Sequence, residues 1–450
     1  MRDRLRSLGG RFIPQGAAVL SVLIFGSYVM GLVRDRIFAR TFGAGSELDA
    51  YNAAFVLPEL LLDVLVEAGL AAPFIPIFMR LRASDADPEE ADRFARTILT
   101  GGVATMGIAA VVMFAFADAT TSLIAPGFEG GQRDLYASLF RVMLVTPILF
   151  AASLTLGQVL LAEQRFFWYG IAPLLYNAGI ILGTVLFSGS LGIYGPAIGA
   201  VIGACIHLGS RFIGLRGSRF RIGLAWEART GSVREFVRLM LPKMASHPVE
   251  PMTFLFFTSV ASGLAAGSVT AVSFARNFQS VPVSLIGVAF SLAVFPRLST
   301  AYATGDRGAF LGLLRTNLAS IAIITTAAAV GLLLVGELAI RVLLGGGAFD
   351  DEDVRLTATV LGAFALSVPF ESLTHLLSRA IYATRHTLLQ VLASVAGLGV
   401  TVLATLLLVD EWGIVAIPLG FAIGQAAKVG LLGLALGIRL RTVSRAAWSG

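Results

Sequence analysis

The sequence predicts an all-α polytopic membrane protein, with twelve transmembrane helices arranged as two six-helix lobes. Three observations predict this class: an apolar composition, the distribution of arginine, and a weak internal repeat. Of the 450 residues, 56% are hydrophobic and only 14% are charged, and the mean hydropathy is +0.82. A soluble domain carries roughly 25% charged residues. The chain therefore has too little charge for a soluble surface of its size.

Apolar segments of about twenty residues, the length that crosses a bilayer as a helix, recur along the whole chain. Their spacing predicts twelve spans. These cover residues 13–38, 49–79, 96–118, 135–161, 169–188, 192–214, 236–262, 269–296, 312–336, 355–382, 387–409 and 413–438.

The arginines indicate the orientation of these spans. With the N-terminus inside, the inner segments hold 24 arginines, whereas the outer loops hold Arg133 and Arg355. Cytoplasmic loops carry such an excess of positive charge. We therefore expect both termini in the cytoplasm, which an odd number of spans would not allow.

The repeat predicts the lobes. The motif "LIAPGF" at 123–128 resembles "LLGGGAF" at 343–349, an offset of about 221 residues. Six spans per half give both halves the same orientation, so a pseudo-two-fold axis along the membrane normal is expected. The N-terminal lobe is predicted over 1–215 and the C-terminal lobe over 236–450. Between them, residues 216–235 mix arginine with aromatic residues, which predicts an amphipathic cytoplasmic linker helix.

Composition also argues against several classes of protein. One cysteine and four histidines supply no metal-binding framework, so neither a metal nor a cofactor is expected. The net charge of +6 comes from arginines in short loops, a distribution that does not predict a nucleic-acid partner. The oligomeric state is not predicted.

Charged residues inside the spans are the candidate functional residues, because each costs about 2.5–3.5 kcal/mol at mid-bilayer. The first group lies in "GLVRDRIFAR", where Arg34, Asp35 and Arg36 are followed by apolar residues. Arg34 either lines a cavity, paired with Asp35 or Asp49, or ends the helix at the membrane interface.

The second group is Glu59, Asp63 and Glu67, whose spacing of four places them on one helical face. Three acids on an apolar helix favour a cavity rather than lipid. They are candidates for pairing with Arg34 and Arg276, or for binding a coupling ion or protons. Nearby prolines predict that this helix is bent or broken, which is tolerated where a helix lines a cavity.

Two further groups have the same spacing of three or four residues. They form either a polar cavity in the second lobe or a buried charge network that holds helices together. Arg276 is either a cavity cation or the partner of a carboxylate. The groups are Lys243, His247 and Glu250 in the seventh span, and Glu371, His375 and Arg379 in the tenth.

The first of these regions carries a resemblance to a known family. The stretch "SYVMGLVRDRIFARTFGAGSELDAYNAAFVLPELLLDVLVEAGLAAPFIPIF" resembles the first two helices of MurJ/MviN proteins. These are the lipid II flippases of the multidrug/oligosaccharidyl-lipid/polysaccharide exporter superfamily. Further on, "APGF", "NFQSVPVSLIGVAFSLAVFPRLS" and "RAIYATRHTLLQV" follow in family order. The resemblance covers nearly the whole chain.

The resemblance implies two lobes around a cationic cavity that moves a lipid-linked peptidoglycan precursor outward by alternating access. The cargo would be of the undecaprenyl-pyrophosphate type, in the bacterial cytoplasmic membrane among its lipids, and no bond would be made or broken. Arginine matches phosphate oxygens bidentately. Arg34, oriented by Asp35, is therefore expected to contact the pyrophosphate, with Arg40, Asp49 and Arg276 completing the substrate-binding set. Transport would be coupled to membrane potential or to an ion at the carboxylates.

The chain also departs from the family pattern. Family members typically carry cavity arginines at the positions of Tyr28, Leu62 and Asn277, and many have fourteen helices. The missing arginines leave the cargo open between lipid II and another polyprenyl-linked saccharide. The helix count leaves open the route of the lipid tail. The alternatives in other classes are an exporter of amphipathic cations, a membrane-embedded glycosyltransferase and a non-transporting scaffold.

Overall fold

The computed structural model describes residues 15–64, 68–84, 87, 89–246, 249–384 and 386–443. Their regular structure is helical, and the chain divides into two compact units. The N-terminal unit comprises Met1–Phe42 and Ser46–Leu255, and the C-terminal unit comprises Gly43–Gly45 and Phe256–Gly450.

Eleven helices begin in the N-terminal unit, and α11 continues into the C-terminal unit. They are α1 (Gln15–Phe42), α2 (Ser46–Leu62), α3 (Ala68–Arg82), α4 (Glu90–Ala115), α5 (Ala117–Ile124), α6 (Gly130–Met143), α7 (Val145–Ala162), α8 (Phe166–Leu191), α9 (Tyr194–Gly214), α10 (Gly231–Ser246) and α11 (Val249–Ser262).

The C-terminal unit contains seven further helices among its described residues. They are α12 (Ser268–Pro282), which runs through a π-helical segment (Val283–Val288) into α13 (Ala289–Ala303), then α14 (Arg307–Leu343), α15 (Asp351–Ala365), α16 (Val368–Ala383), α17 (Thr387–Trp412) and, after a 3₁₀ turn (Gly413–Val415), α18 (Ala416–Val443).

The all-α polytopic fold class is confirmed. In the described part of the chain, eight helical segments are long and apolar enough to cross a membrane, and the bent pair α15–α16 makes a ninth. One segment, Thr387–Leu440, spans two of the predicted crossings. The predicted spans 49–79 and 236–262 each include residues outside the described ranges. The count of twelve spans therefore stays a prediction.

The backbone conformation at the helix ends repeats at the offset of about 221 residues that separates the two sequence motifs. Gly192, which ends α8, has φ 55° and ψ −133°, and Gly413, which ends α17, has φ 53° and ψ −132°. Glu129 and Asp350 precede α6 and α15 in the same extended conformation. Each pair is 221 residues apart. Only glycine adopts a positive φ with ψ near −130° at low cost, so both turns require glycine.

The predicted linker differs from expectation, because residues 218–227 are not helical. Their backbone instead bonds to side chains of α4. Asp92 accepts from the N–H of Arg221 at 3.0 Å, and Thr97 accepts from the N–H of Glu227 at 3.2 Å. The predicted amphipathic helix is wrong here, because α4 supplies the partners that a helix would supply internally.

The linker and the following helix pack with the N-terminal unit, which extends to Leu255 rather than to 215. Phe236 of α10 is buried against Phe94 of α4. On the surface, Glu235 accepts two hydrogen bonds from Arg80, and this pairing lowers the pKa of the Glu235 carboxyl.

Helices α8 and α9 approach each other closely through glycine. A Cβ added to Gly183 would overlap the Cα of Gly199, and a Cβ on Gly179 would overlap Gly203. Small residues of this kind let helix backbones pack tightly in membranes. This contact fixes α8, which carries Asn177, against α9, which carries Arg211.

This packing gives a testable prediction. Gly183→Ala should lower the melting temperature of the purified protein, because overpacking costs typically 1–3 kcal/mol. Gly189→Ala, on the same helix with open space around its Cα, is the matched control and should leave the melting temperature unchanged or raised. Equal melting temperatures for the two variants would contradict the close contact.

Candidate functional site

Arg34 lies inside α1 rather than at its end, since the helix continues for eight residues to Phe42. Its Nε and Nη2 atoms both donate to one oxygen of Asp35, at 3.0 and 2.8 Å. Nη1 donates to the side-chain oxygen of Asn177 at 3.1 Å. The Arg34 side chain is 27% exposed, whereas Asp35 is buried. The expected pairing with Asp35 is therefore present, and Arg34 keeps an accessible face.

Asn177 is the partner that the sequence did not predict. It lies on α8, and its amide nitrogen donates to the carbonyl of Pro173, one turn earlier, at 3.2 Å. That bond leaves the amide oxygen facing Arg34. Arg34 is thus held from two helices that are far apart in sequence.

The other residues around Arg34 have different environments. Arg36 is half-buried, Arg40 is exposed near the end of α1, and Asp49 is buried in the first turn of α2. Arg34 bonds to Asp35 and Asn177 and not to Asp49.

Two acids of the second predicted span, Glu59 and Asp63, lie near the end of α2. Helix α2 ends at Leu62, Asp63 lies in a π-helical turn, and α3 begins at Ala68. Residues 65–67 lie outside the described residues, so the predicted bend or break of this span stays a prediction. Glu59 and Asp63 line the same cavity, as their spacing predicted. Glu67 lies outside the described residues.

This cavity, which we call the N-unit cavity, lies inside the N-terminal unit and has a volume of about 320 Å³. It is bounded by α1, α2, α7, α8 and α9. The lining residues are Leu20, Ile24, Phe55, Pro58, Glu59, Leu62, Asp63, Thr146, Pro147, Phe150, Leu154, Tyr169, Gly170, Pro173, Tyr176, His207 and Arg211.

Arg211 is the functional candidate that sequence reasoning missed, because it was counted among the arginines of an inner loop. It lies in the last turn of α9 and is 1% exposed. Nη1 donates to the carbonyls of Trp168 and Tyr169, both at 2.8 Å. Pro173 has no N–H to bond the Tyr169 carbonyl, so Arg211 satisfies a group that the proline leaves without its helical donor.

A sequence signal for this site does exist. His207 and Arg211 are four residues apart, so they share one face of an otherwise apolar helix. His207 is buried, and its Nδ1 lies 2.7 Å from the hydroxyl of Ser153. Both side chains line the N-unit cavity.

In the C-terminal unit, Arg276 is the partner of a carboxylate. Its Nη1 and Nη2 donate to the two oxygens of Glu371 at 2.8 and 2.6 Å. Gln279, one turn along α12, donates to Glu371 at 2.8 Å and to Ser367 at 3.1 Å. Arg276 and Glu371 are both buried, and the Arg276 guanidinium lies over the ring of Phe421. Of the two roles expected for Arg276, its geometry matches the buried ion pair.

The expected pairing of Glu59 or Asp63 with Arg34 is wrong, since the hydrogen bonds of Arg34 go to Asp35 and Asn177. Arg276 and Glu371 belong to the C-terminal unit, whereas Arg34, Glu59 and Asp63 belong to the N-terminal unit.

The remaining predicted residues are more dispersed. His375 is half-buried one turn from Glu371 on α16, and Arg379 lies a further turn along, over the ring of Phe295. Glu250 is exposed in the first turn of α11. His247 lies outside the described residues, as does the side chain of Lys243.

The three positions without the expected arginine differ in exposure. Tyr28 and Asn277 are exposed, and Leu62 is half-buried in the lining of the N-unit cavity. Among the described residues, no group of three or more His, Cys, Asp or Glu side chains could hold a metal ion.

Comparison with known proteins gives the family. The sequence profile described as "Lipid II flippase MurJ" matches residues 38–449. The chain belongs to the MurJ family. A "Probable lipid II flippase MurJ" of Thermotoga maritima is 28% identical over 362 residues, which cover 80% of this chain and 72% of the relative. A "Lipid II flippase MurJ" of Burkholderia cenocepacia is 25% identical over 431 residues, which cover 93% of this chain and 82% of the relative.

Solved structures share the fold. A lipid II flippase MurJ in an inward closed conformation matches with a TM-score of 0.81 and 24% identity, covering 93% of this chain and 87% of that one. An inward-facing multidrug resistance MATE family transporter of the MOP superfamily also matches with a TM-score of 0.81. It is 15% identical, and the match covers 94% of this chain and 96% of the transporter. The MurJ family and the MATE transporter thus share one helical fold with this chain.

The Arg276–Glu371 pair gives a second prediction. Arg276→Met should strongly lower the melting temperature, because removing one partner of a buried pair costs about 3–5 kcal/mol. The double variant Arg276→Met/Glu371→Met should recover much of this loss, because it leaves no unpaired buried charge. Arg341→Met is the control, since Arg341 bonds to Glu337 and Asp351 on the surface and should matter far less. A double variant that is less stable than Arg276→Met would contradict this account.

Proposed function

We propose that this protein is a flippase that moves a lipid-linked peptidoglycan precursor, lipid II, from the inner to the outer leaflet of the bacterial cytoplasmic membrane. The family match along residues 38–449 carries the proposal. A head group of pyrophosphate, sugar and peptide cannot cross about 30 Å of hydrocarbon without polar contacts. Transport of this kind breaks no bond, so the protein acts as a transporter and not as an enzyme.

Arg34 is proposed as a pyrophosphate contact. Asp35 and Asn177 restrict its guanidinium, while 27% of the side chain stays accessible. A pre-oriented guanidinium loses less conformational entropy on binding phosphate oxygens than a free one. Burial of Asp35 keeps this partner beside Arg34 in the absence of cargo. Arg40 and Asp49, on either side of the turn between α1 and α2, are proposed to complete the cargo-binding set.

The decisive experiment is complementation of a bacterium depleted of its own lipid II flippase. We expect this chain to restore growth and Arg34→Ala to abolish the rescue, because a charge-assisted contact worth tenfold or more in affinity is lost. Arg34→Lys should rescue partially, since it keeps the charge without the planar fork.

The control is Arg133→Ala, an exposed arginine in the first turn of α6, which should rescue fully. Membrane levels of all variants are measured by immunoblot. Full rescue by Arg34→Ala would overturn the assignment of Arg34. Failure of the wild-type chain, with the protein present in the membrane, would overturn lipid II as the cargo.

We also propose that both termini face the cytoplasm, as the arginine distribution predicts. Green fluorescent protein fused after Gly450 should fluoresce, and alkaline phosphatase fused at the same residue should be inactive. The opposite pattern would place the C-terminus outside and overturn the proposed orientation.

A further inference from the structure

The N-unit cavity contains a buried positive charge, Arg211, that has no acidic partner among the described residues. In the part of the chain that the structure describes, no carboxylate lies within 4.0 Å of Arg211. Its Nε donates to Ser153 at 3.3 Å and its Nη1 donates to two backbone carbonyls. Nη2 makes no hydrogen bond to a described residue. A buried cation held only by neutral groups is costly unless an anion completes its shell.

The geometry around Arg211 is fixed rather than adaptable. Its guanidinium lies 5.0 Å from the centre of the Tyr169 ring, and its two carbonyl partners belong to the first turn of α8. Ser153, which accepts from Nε, also contacts the ring of buried His207. The side chain therefore cannot leave the cavity wall to find an anion elsewhere.

Two carboxylates line the same cavity. Glu59 is exposed and Asp63 is half-buried, and they lie one turn apart where α2 ends. A simple anion that entered to reach Arg211 would meet these two negative charges. A simple cation that entered to reach them would meet Arg211. A group that carries both charges is complementary to both sides of the cavity.

We propose that the N-unit cavity binds an amphoteric group, with a carboxylate on Arg211 and an ammonium on Glu59 and Asp63. This inference rests on the proposed function, because the peptide of the precursor is the part of such a cargo that carries both charges. The volume of about 320 Å³ is at the lower end of the roughly 300–1,000 Å³ of small-molecule sites, so it suits part of a peptide. Arg34 contacts the pyrophosphate, and the N-unit cavity binds the peptide.

The test uses the full-length protein in proteoliposomes and lipid II radiolabelled in its sugar. Three forms of the cargo are compared: one with a free lysine amine in the peptide, one with that amine acetylated, and one with the peptide carboxylates amidated. Translocation is measured at subsaturating cargo for the wild type, Glu59→Gln/Asp63→Asn and Arg211→Gln. Glu47→Gln, an exposed acid in the first turn of α2, is the control.

We expect acetylation to slow transport by the wild type and by Glu47→Gln about tenfold, and to change transport by Glu59→Gln/Asp63→Asn less than twofold. Amidation should likewise slow the wild type but leave Arg211→Gln unaffected. This ratio between cargo forms is insensitive to a general loss of active protein. Because Arg211 also holds α8, Arg211→Lys serves as a second variant, and it should keep sensitivity to amidation.

The outcomes are distinguishable. If the wild type transports all three cargo forms at one rate, the peptide site is overturned and the flippase function stands. If the wild type transports none of them while the reconstituted protein is monodisperse, the flippase function is overturned and the peptide site with it. If the carboxylate variant retains the tenfold sensitivity to acetylation, the ammonium assignment is overturned.

Discussion

The cost of an unpaired charge away from water is the constraint on which the rest of this structure depends. Within apolar helices a guanidinium needs acceptors that the protein itself supplies. Arg276 donates hydrogen bonds to both oxygens of Glu371, and Arg34 donates to the side-chain oxygens of Asp35 and Asn177. Arg211 donates to two backbone carbonyls, one of which, that of Tyr169, has lost its helical donor to Pro173. Each solution ties one helix to another, so the charges also determine which helices pack together.

The two units surround their arginine side chains with different partners. In the C-terminal unit the buried Arg276 forms a two-bond ion pair with Glu371 and lies over the ring of Phe421, which suits a structural role. In the N-terminal unit Arg34 keeps an accessible face and Arg211 has no acid partner among the described residues. Polar groups that remain incompletely satisfied in an otherwise apolar environment are typical of binding sites. The cargo contacts that we propose therefore lie in the N-terminal unit.

Charge has also been redistributed relative to the family pattern. The position of Leu62, where the family typically carries an arginine, lines the N-unit cavity, and the next residue, Asp63, is acidic. Arg211 supplies a cation to that same cavity from α9. A cavity with both signs of charge discriminates between partners through repulsion as well as attraction. This gives the lost arginines a consequence for the choice of cargo rather than a loss of binding alone.

The sequence alone determined the fold class and the 221-residue repeat, because hydropathy and turn chemistry are local properties. It left Asp35 and Asp49 as alternative partners of Arg34, and the structure selected Asp35. The shared cavity face of Glu59 and Asp63 also followed from spacing. Tertiary structure decided the rest: Asn177 as the second partner of Arg34, Glu371 as the partner of Arg276, and the position of Arg211 in a cavity wall. It also replaced the predicted linker helix by an extended segment bonded to α4. These contacts join residues that are 42 to 143 positions apart, and the periodicity of one helix does not specify which face of a distant helix it meets.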